Sequence, residues 1–166
     1  MLGLFKNIKS LNIASNYIVY IPQACFLSMD ILETLNISFN SLYTVSDSLV
    51  SPRLHTLDFR YNRLSSLEQW FMDWVDRHHQ QINGNFTLFL KGNNFYCSCE
   101  NLNFIKWLTK TVVHLDSDGN YISRLVNGTL SDTKKVMSNL HDLFHSCSAT
   151  IWLTFGFFRS FRLFSW

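Results

Sequence analysis

Two of the four cysteines, Cys97 and Cys99, stand two residues apart in the stretch GNNFYCSCENLNFIKWL. Cysteine thiols form disulfides, bind metals or attack substrates, so their spacing is the first chemical clue in the sequence. Neighbours this close rarely bridge each other, because the geometry is strained. We therefore expect each cysteine to pair elsewhere or to remain a thiol.

A zinc site and a catalytic site are both disfavoured. Zinc needs three or four ligands; His141 and His145 would share a helix face close to Cys147, but no second ligand pair is evident. The sequence has no G-x-S-x-G, no H-E-x-x-H and no phosphate-binding glycine loop, and its acidic residues are scattered. The sequence predicts neither an enzyme nor a bound cofactor.

The composition fits one folded domain of ordinary size. The chain has 166 residues, of which 47% are hydrophobic and 16% charged, and this balance favours a packed core over a disordered tail. The formal charge of +2 is small, and the lysines and arginines form no stripe. Nucleic-acid binding is therefore not expected.

Residues 8–95 repeat the frame L-x-x-L-x-L-x-x-N-x-L, which is the signature of a leucine-rich repeat. In the last copy, Asn85 stands where the first leucine belongs. The copies are Ile8, Leu11, Ile13, Asn16 and Ile18; Leu32, Leu35, Ile37, Asn40 and Leu42; Leu54, Leu57, Phe59, Asn62 and Leu64; and Leu88, Leu90, Asn93 and Phe95.

The frame predicts an α/β fold, a leucine-rich-repeat solenoid with short parallel strands. Alternate residues of L-x-L point to opposite faces, so each copy buries one row of side chains. One copy cannot fold alone, and stacking must bury the rest. We expect Leu35, Leu57 and Leu88 in line on adjacent strands. An unrelated α/β domain with coincidental leucines is the alternative.

A helix is predicted within SSLEQWFMDWVDRHH, before the fourth copy. Its apolar residues have helical spacing and are expected in the core rather than in a binding patch. Ser65 and Glu68 have the spacing of a capping box at its start. His78 and His79 are expected to meet solvent at its end. The apolar residues are Leu67, Trp70, Phe71, Trp74 and Val75.

The stretch that follows the repeats resembles the cysteine-bearing carboxy-terminal cap of extracellular leucine-rich-repeat proteins. That cap reads roughly G-N-P-F-x-C-x-C, followed by a helix with F-x-x-W-L; here Asn94 replaces the proline. The resemblance covers residues 5–147. The matching residues are Gly92, Asn93, Phe95, Cys97, Cys99, Phe104, Trp107 and Leu108.

The resemblance implies a pairing for the cysteines. In such caps the second cysteine pairs with one near the end, which implies a Cys99–Cys147 disulfide. The first pairs with a cysteine soon after a tyrosine, but no cysteine follows Tyr121 at that place. Cys97 is therefore expected to be unpaired, unless it reaches Cys25 or another chain. Cys25 is expected to be a small buried thiol.

Three regions follow from these patterns. Residues 1–95 form about four coils, the first truncated, and residues 96–147 form the helical, disulfide-tied cap. In the cap, SDTKKVMSNLHDLF predicts a helix that covers the last coil. Residues 148–166 form an apolar tail that resembles the start of a transmembrane helix whose remainder is absent. A tail resting at the membrane interface, or a packed terminus, is the alternative.

Three N-x-S/T sequons occur, at Asn36, Asn85 and Asn127. Together with a disulfide-type cap they favour the secretory route. A glycan on Asn36 would sit on the concave strand face and block ligand there. Asn127, beside Gly128, is expected in an exposed loop.

A cap followed at once by an apolar segment resembles the juxtamembrane end of Toll-like receptors, which are single-pass innate immune receptors. The resemblance implies signal transduction in the parent protein, a location on the extracellular side of the cell membrane, and a membrane contact through the tail; without a spanning tail the protein would be secreted. No signal peptide or TIR domain is recognised, so we expect a partial copy. An extracellular adhesion or matrix protein is the alternative.

A protein or pathogen-derived ligand is expected on the concave face, and a receptor dimer could form through the cap and Cys97. The first coil lacks a preceding neighbour over Leu4, Phe5, Ile8 and Leu11, so aggregation or dimerisation is expected there. The concave candidates are Lys9, Asn12, Glu33, His55, Asp58, Arg60, Phe86, Phe89 and Lys91.

Overall fold

The structure, a computed structural model, describes residues 6–22, 25–26, 29–46, 49, 51–116, 145 and 147. Its described elements, in chain order, are the strands and helices β1 (Ser10–Asn12), β2 (Thr34–Asn36), β3 (Thr56–Asp58), α1 (Gln69–Gln81), β4 (Thr87–Phe89) and α2 (Leu102–Lys110). Residues 117–144 and 148–166, which include the predicted cap helix, His141 and the apolar tail, lie outside the described residues.

The four strands form one parallel sheet in the order β1-β2-β3-β4. Leu11 pairs with Leu35, Leu35 with Leu57, and Leu57 with Leu88. Each central leucine points into the core between two residues that face the other way, because side chains alternate along a strand. The predicted solenoid and its register are confirmed.

The core is a row of aliphatic and aromatic side chains shared by successive coils. Leu35, Leu57 and Leu88 are fully buried. In the first coil, Ile8 and Leu11 are only partly buried against the same core. A coil in the middle of the stack is covered on both sides, whereas β1 has a described neighbour only in β2. Leu4 and Phe5 lie outside the described residues.

The repeat asparagines stitch each coil to the one before it. The Asn62 side chain donates to the carbonyls of Phe59 in its own coil and Ile37 in the preceding coil, both at 3.0 Å. Its Oδ1 accepts from the N–H of Leu42 at 3.0 Å. Asn40 and Asn93 repeat this pattern one coil earlier and later. Asn16, in the first coil, is exposed and bonds only to carbonyls of its own coil.

Helix α1 differs from the prediction at both ends. It begins after Glu68, and no side chain caps it; the Glu68 carboxylate instead accepts from Trp70 Nε1 at 2.6 Å and Thr44 Oγ1 at 3.2 Å. The predicted capping box is therefore wrong. His78 and His79 are buried rather than solvated, so that prediction is wrong as well.

The apolar face of α1 lies in the core, as its spacing predicted. Leu67, Phe71 and Val75 are buried, and Trp70 and Trp74 pack against them partly buried. His78 follows this face because it stacks on Trp74 at 4.7 Å and contacts Phe86 edge-on. Its Nε2 lies 2.6 Å from the carbonyl of Leu54, so the imidazole donates there. The buried carbonyl of Leu54 needs a hydrogen-bond donor, and His78 is therefore buried beside it rather than exposed to solvent.

Side chains tie the cap to the solenoid, and one disulfide lies within the cap. Cys99 and Cys147 are bonded, with their Cα atoms 5.3 Å apart. Asp76 of α1 accepts from Trp107 Nε1 and Thr111 Oγ1, each at 2.8 Å. These bonds fix α2 and the residues after it against α1.

The chain after α2 closes the open edge of β4. The carbonyl of His114 accepts from the N–H of Leu88 at 2.9 Å. The carboxylate of Asp116 accepts from the N–H groups of Leu90 at 2.7 Å and Lys91 at 3.2 Å. In the inner coils, the N–H equivalent to that of Leu90 donates to a backbone carbonyl of the next coil, as Ile37 donates to Asp58. The N–H equivalent to that of Lys91 donates instead to the Asn or Asp side chain two residues earlier in its own coil. Asp116 therefore replaces a further coil for Leu90, and for Lys91 it replaces the polar side chain that Phe89 lacks.

Candidate recognition surface

The row that follows each central leucine of the sheet consists of Asn12, Asn36, Asp58 and Phe89, which are register partners. The first three side chains accept a hydrogen bond from the backbone N–H two residues later, each at 3.0 Å. These polar groups hold the turn that leaves the strand. Only Phe89 breaks the pattern, with a partly buried ring.

Asp58 is not open to a ligand. Its side chain is 6% exposed, and it pairs with Arg60, whose Nη2 lies 2.6 Å from Oδ2. Arg60 Nε also contacts both carboxylate oxygens. This hydrogen bonding raises the pKa of Arg60 above its usual value. Asp58 therefore positions Arg60, and only Arg60 of this pair reaches solvent, with 40% of its side chain exposed.

Arg60 also lies over the ring of Phe89, with its guanidinium carbon 4.8 Å from the ring centroid. A cation over an aromatic face is attracted by the ring quadrupole. Arg60 and Phe89 therefore form one polar and apolar patch near the cap end of the concave face. The partly buried Lys91 follows in the same coil.

The row before each strand holds Lys9, Glu33, His55 and Phe86. The Lys9 ammonium and the Glu33 carboxylate form an ion pair at 3.0 Å. His55 Nδ1 lies 3.2 Å from the carbonyl of Asn85. Phe86 was predicted on the concave face but is fully buried. It turns inward because Asn85 replaces the leucine that fills this part of the core in the other coils.

The predicted glycosylation sites occupy different environments. Asn85 is exposed on the turn before β4, whereas Asn36 is partly buried between β1 and β3. Asn127 lies outside the described residues.

The two remaining cysteines are thiols. Cys97 is buried, and burial raises the pKa of its thiol. A thiolate is the reactive form, so this geometry contradicts its use as an exposed intermolecular thiol. Cys25 is a partly buried thiol packed against the core, rather than fully buried. Within the described ranges, no three His, Cys, Asp or Glu side chains are grouped to hold a metal ion.

A second surface, absent from the predictions, lies where each coil leaves the sheet. The residue before each repeat asparagine has a positive φ: Ser15 (58°), Phe39 (54°), Tyr61 (55°) and Gly92 (75°). Phe39 and Tyr61 are nonetheless exposed and stack on each other at 4.4 Å. A Cβ at Gly92 would collide with the ring of Tyr61. The signal in the sequence was a large ring where the repeat frame needs a left-handed residue.

The fold and these surfaces define a protein with a leucine-rich-repeat solenoid. Residues 6–52 match the family model described as Leucine rich repeat. No curated protein matches the sequence of this chain. Within the described ranges, no helix combines the length and apolar character needed to cross a membrane.

The solved structures that share the fold include the following two. Human 5T4, also described as Wnt-activated inhibitory factor 1 and trophoblast glycoprotein, is 20% identical with a TM-score of 0.65, over 78% of this chain and 45% of that chain. A chain of the Drosophila Toll–Spatzle complex is 16% identical with a TM-score of 0.54, over 78% of this chain and 18% of that chain. This chain thus spans less than half the length of either protein.

Proposed function

We propose that this chain is a protein-recognition module of an extracellular leucine-rich-repeat protein. The observation that carries the proposal is a parallel sheet whose concave face carries mainly polar side chains, beside a cap that contains the Cys99–Cys147 disulfide. Disulfides persist in oxidising compartments, which supports an extracellular location. A solenoid sheet presents an extended surface suited to a protein partner.

The finer proposal is the cap end of a Toll-like receptor ectodomain, with residues 1–95 as repeats, 96–147 as cap and 148–166 as the start of a membrane anchor. The similarity to a chain of the Toll–Spatzle complex supports it, since that complex is described as a hub of development and innate immunity. In this proposal two ectodomains meet through the cap surface. The buried Cys97 plays no part in that contact.

An adhesion or matrix protein is the second candidate. The repeats and the disulfide-tied cap fit this class as well as they fit a receptor. The two candidates differ in what the gene encodes beyond Trp166. A complete membrane helix followed by a TIR domain supports the receptor, and a stop codon or a different domain in the full transcript contradicts it.

The recognition role is tested with a random 12-residue peptide library displayed on phage and selected on the secreted, disulfide-bonded full chain. We expect specific binders whose affinity falls about tenfold when one residue at the centre of their contact is replaced by alanine, because a few residues carry most of the affinity of an interface. The matched control is Val112→Ser, an exposed apolar residue of the cap region. A library that yields no specific binder contradicts protein recognition.

The charge order on the concave face gives a second control. The double variant Lys9→Glu with Glu33→Lys keeps the ion pair but reverses its direction. If a partner reads this part of the face, the swap weakens its binding while the melting temperature stays unchanged. Equal binding by the swapped and native chains places the contact elsewhere on the molecule.

A further inference from the structure

The surface beside the sheet carries aromatic rings at positions where the repeat frame does not require an aromatic residue. We define the flank as Tyr17, Phe39, Tyr61 and Arg63, the large side chains immediately before and after the repeat asparagines. Tyr17 is 95% exposed, and Phe39 and Tyr61 are 53% and 42% exposed. Backbone hydrogen bonds from Ser41 to Ile18 and from Arg63 to Leu42 align successive coils here.

Phe39 and Tyr61 occupy a backbone position that disfavours them. A bulky residue with positive φ is strained, whereas glycine is not, and the fourth coil has Gly92 at this position. Strain of this kind concentrates at functional sites. The stack between the two rings offsets part of the strain, but it does not require that they be exposed.

The aromatic stack of Phe39 and Tyr61 ends at Phe39, because the first coil has no ring at the equivalent position. Phe39 lies against Tyr61 on one side, with 19° between the ring planes. On its other side the equivalent residue of the first coil is Ser15, whose N–H bonds to the carbonyl of Ser38. Because serine is small, the space beside Phe39 that a third aromatic ring would fill is open. A flat side chain from outside would extend it at the stacking distance of aromatic pairs.

The flank is positively charged, which favours an acidic partner. The segments 14–20, 38–44 and 60–66 contain Arg60 and Arg63 and no aspartate or glutamate. Arg63 is exposed, and none of the ion pairs in the described part of the chain involves it. On the concave face, by contrast, the Lys9 and Arg60 charges are met by Glu33 and Asp58.

We propose that the flank binds a protein segment in which an acidic side chain stands beside an aromatic residue or proline. The flat side chain stacks on Phe39 above Ser15, and the carboxylate pairs with Arg63. This inference rests on the proposed recognition function and moves its main contact from the concave face to the flank.

The test uses the peptide library above, followed by synthetic consensus peptides and affinity measurement by fluorescence polarisation on the full chain. We expect consensus sequences with an acid next to an aromatic residue or proline. Phe39→Gly and Arg63→Glu should each weaken binding at least tenfold. Val112→Ser, which lies outside both the flank and the concave face, should change it less than twofold.

Two controls separate docking from structure. Phe39→Gly removes the ring and relieves the backbone strain, so the melting temperature should hold or rise while binding is lost. If this variant unfolds instead, the charge reversal decides: Arg63→Glu should recover binding when the acid of the peptide is changed to lysine. Failure of that recovery overturns the inference.

The peptide selection has three further outcomes, and each of them would contradict binding at the flank. Binders that tolerate the flank variants but lose affinity with His55→Ala or Phe89→Ala contradict the flank and leave the recognition function standing. Consensus peptides that are basic or lack a flat side chain contradict the flank as well. A library without specific binders contradicts both.

Discussion

The inner coils and the junction, by which we mean helix α1 with its contacts to the repeats and to the cap, satisfy polar groups in opposite ways. In the coils, one asparagine at a fixed place serves backbone groups of two neighbouring coils. In the junction the polar groups have contacts that occur once: the buried His78 donates to the carbonyl of Leu54, and the partly buried Asp76 accepts from Trp107 and Thr111. The coil arrangement is periodic and uncharged, whereas the junction is unique and titratable.

Mutations and changes of pH should therefore act on different parts of the molecule. Substitutions in the coils remove a bond that the repeat frame requires, so equivalent positions can serve as controls for each other. Changes of pH act on the junction, because it holds buried histidines. The cap is also the only described part of the chain held by a covalent cross-link.

The largest effect is expected from loss of that cross-link. Cys99→Ser opens a disulfide with a sequence separation of 48 residues, which should lower the free energy of unfolding by about 4 kcal/mol. Urea denaturation under non-reducing conditions measures it. Cys25→Ser, which removes a thiol outside any bridge, should cost less than about 1 kcal/mol. Equal losses in both variants would show that the cap contributes nothing through its tie.

The second largest loss of stability is expected from substitutions of the repeat asparagines. Asn62→Ala leaves the Leu42 N–H without its acceptor and takes one donor from each of the carbonyls of Ile37 and Phe59. We expect a loss of about 3 kcal/mol in the same urea experiment. Asn16→Ala removes the same residue type where it is exposed, and should cost under about 1 kcal/mol. Similar losses at the two positions would refute the inter-coil role.

A smaller loss is expected from the junction. Asp76→Ala leaves Trp107 Nε1 and Thr111 Oγ1 without their acceptor, at a cost of about 2 kcal/mol. The control is Asp73→Ala on the exposed face of the same helix, where among the described residues the Asp73 carboxylate accepts from Gln69 Nε2 at 2.8 Å. Thermal melts of the two variants side by side distinguish them, and a control variant that melts as early as Asp76→Ala would contradict this role.

The smallest effect is a dependence on pH that belongs to the junction. Burial lowers the pKa of His78, and the neighbouring His55 and His79 lower it further against the hydrogen bond to Leu54. Because the unfolded chain binds this proton more readily, stability should fall as pH drops below 6.5, until the lower folded-state pKa is passed. Melting temperatures between pH 7.5 and pH 5.5 should show this decline.

The control for the pH series is His78→Gln, which can donate to Leu54 without titrating. This variant should have a flatter profile than the native chain across the same window. Asp116 opposes the trend at lower pH, because burial raises its pKa and its protonated form is favoured in the folded state. A native profile as flat as that of the variant would remove His78 as the cause.

The repeat frame predicted the solenoid, its register and the inward leucines because the same physical requirement recurs in every coil. Leu35, Leu57 and Leu88 needed no knowledge of the rest of the chain. The Cys99–Cys147 disulfide came from the resemblance of the cap. The division into repeats, cap and tail remains a prediction.

The sequence predictions were wrong at positions whose burial depends on one particular contact rather than on the repeat pattern. Phe86 was assigned to the concave face from its place in the frame, but the missing leucine at Asn85 lets it fill the core. His78 and His79 were assigned to solvent from their place at a helix end, but backbone acceptors at Leu54 and Phe86 bury them. Asp116, which closes the sheet edge, lies outside any repeat and had no periodic signal.

The central claim is that successive coils share one aliphatic core in fixed register. Methyl-labelled NMR of the chain tests it most directly, through nuclear Overhauser contacts between leucine side chains. We expect contacts from Leu35 to Leu57 and from Leu57 to Leu88, since adjacent strands lie about 4.8 Å apart. Leucines 35, 57 and 88 that share no such contacts, in a folded chain, would contradict the solenoid and the recognition surfaces built on it.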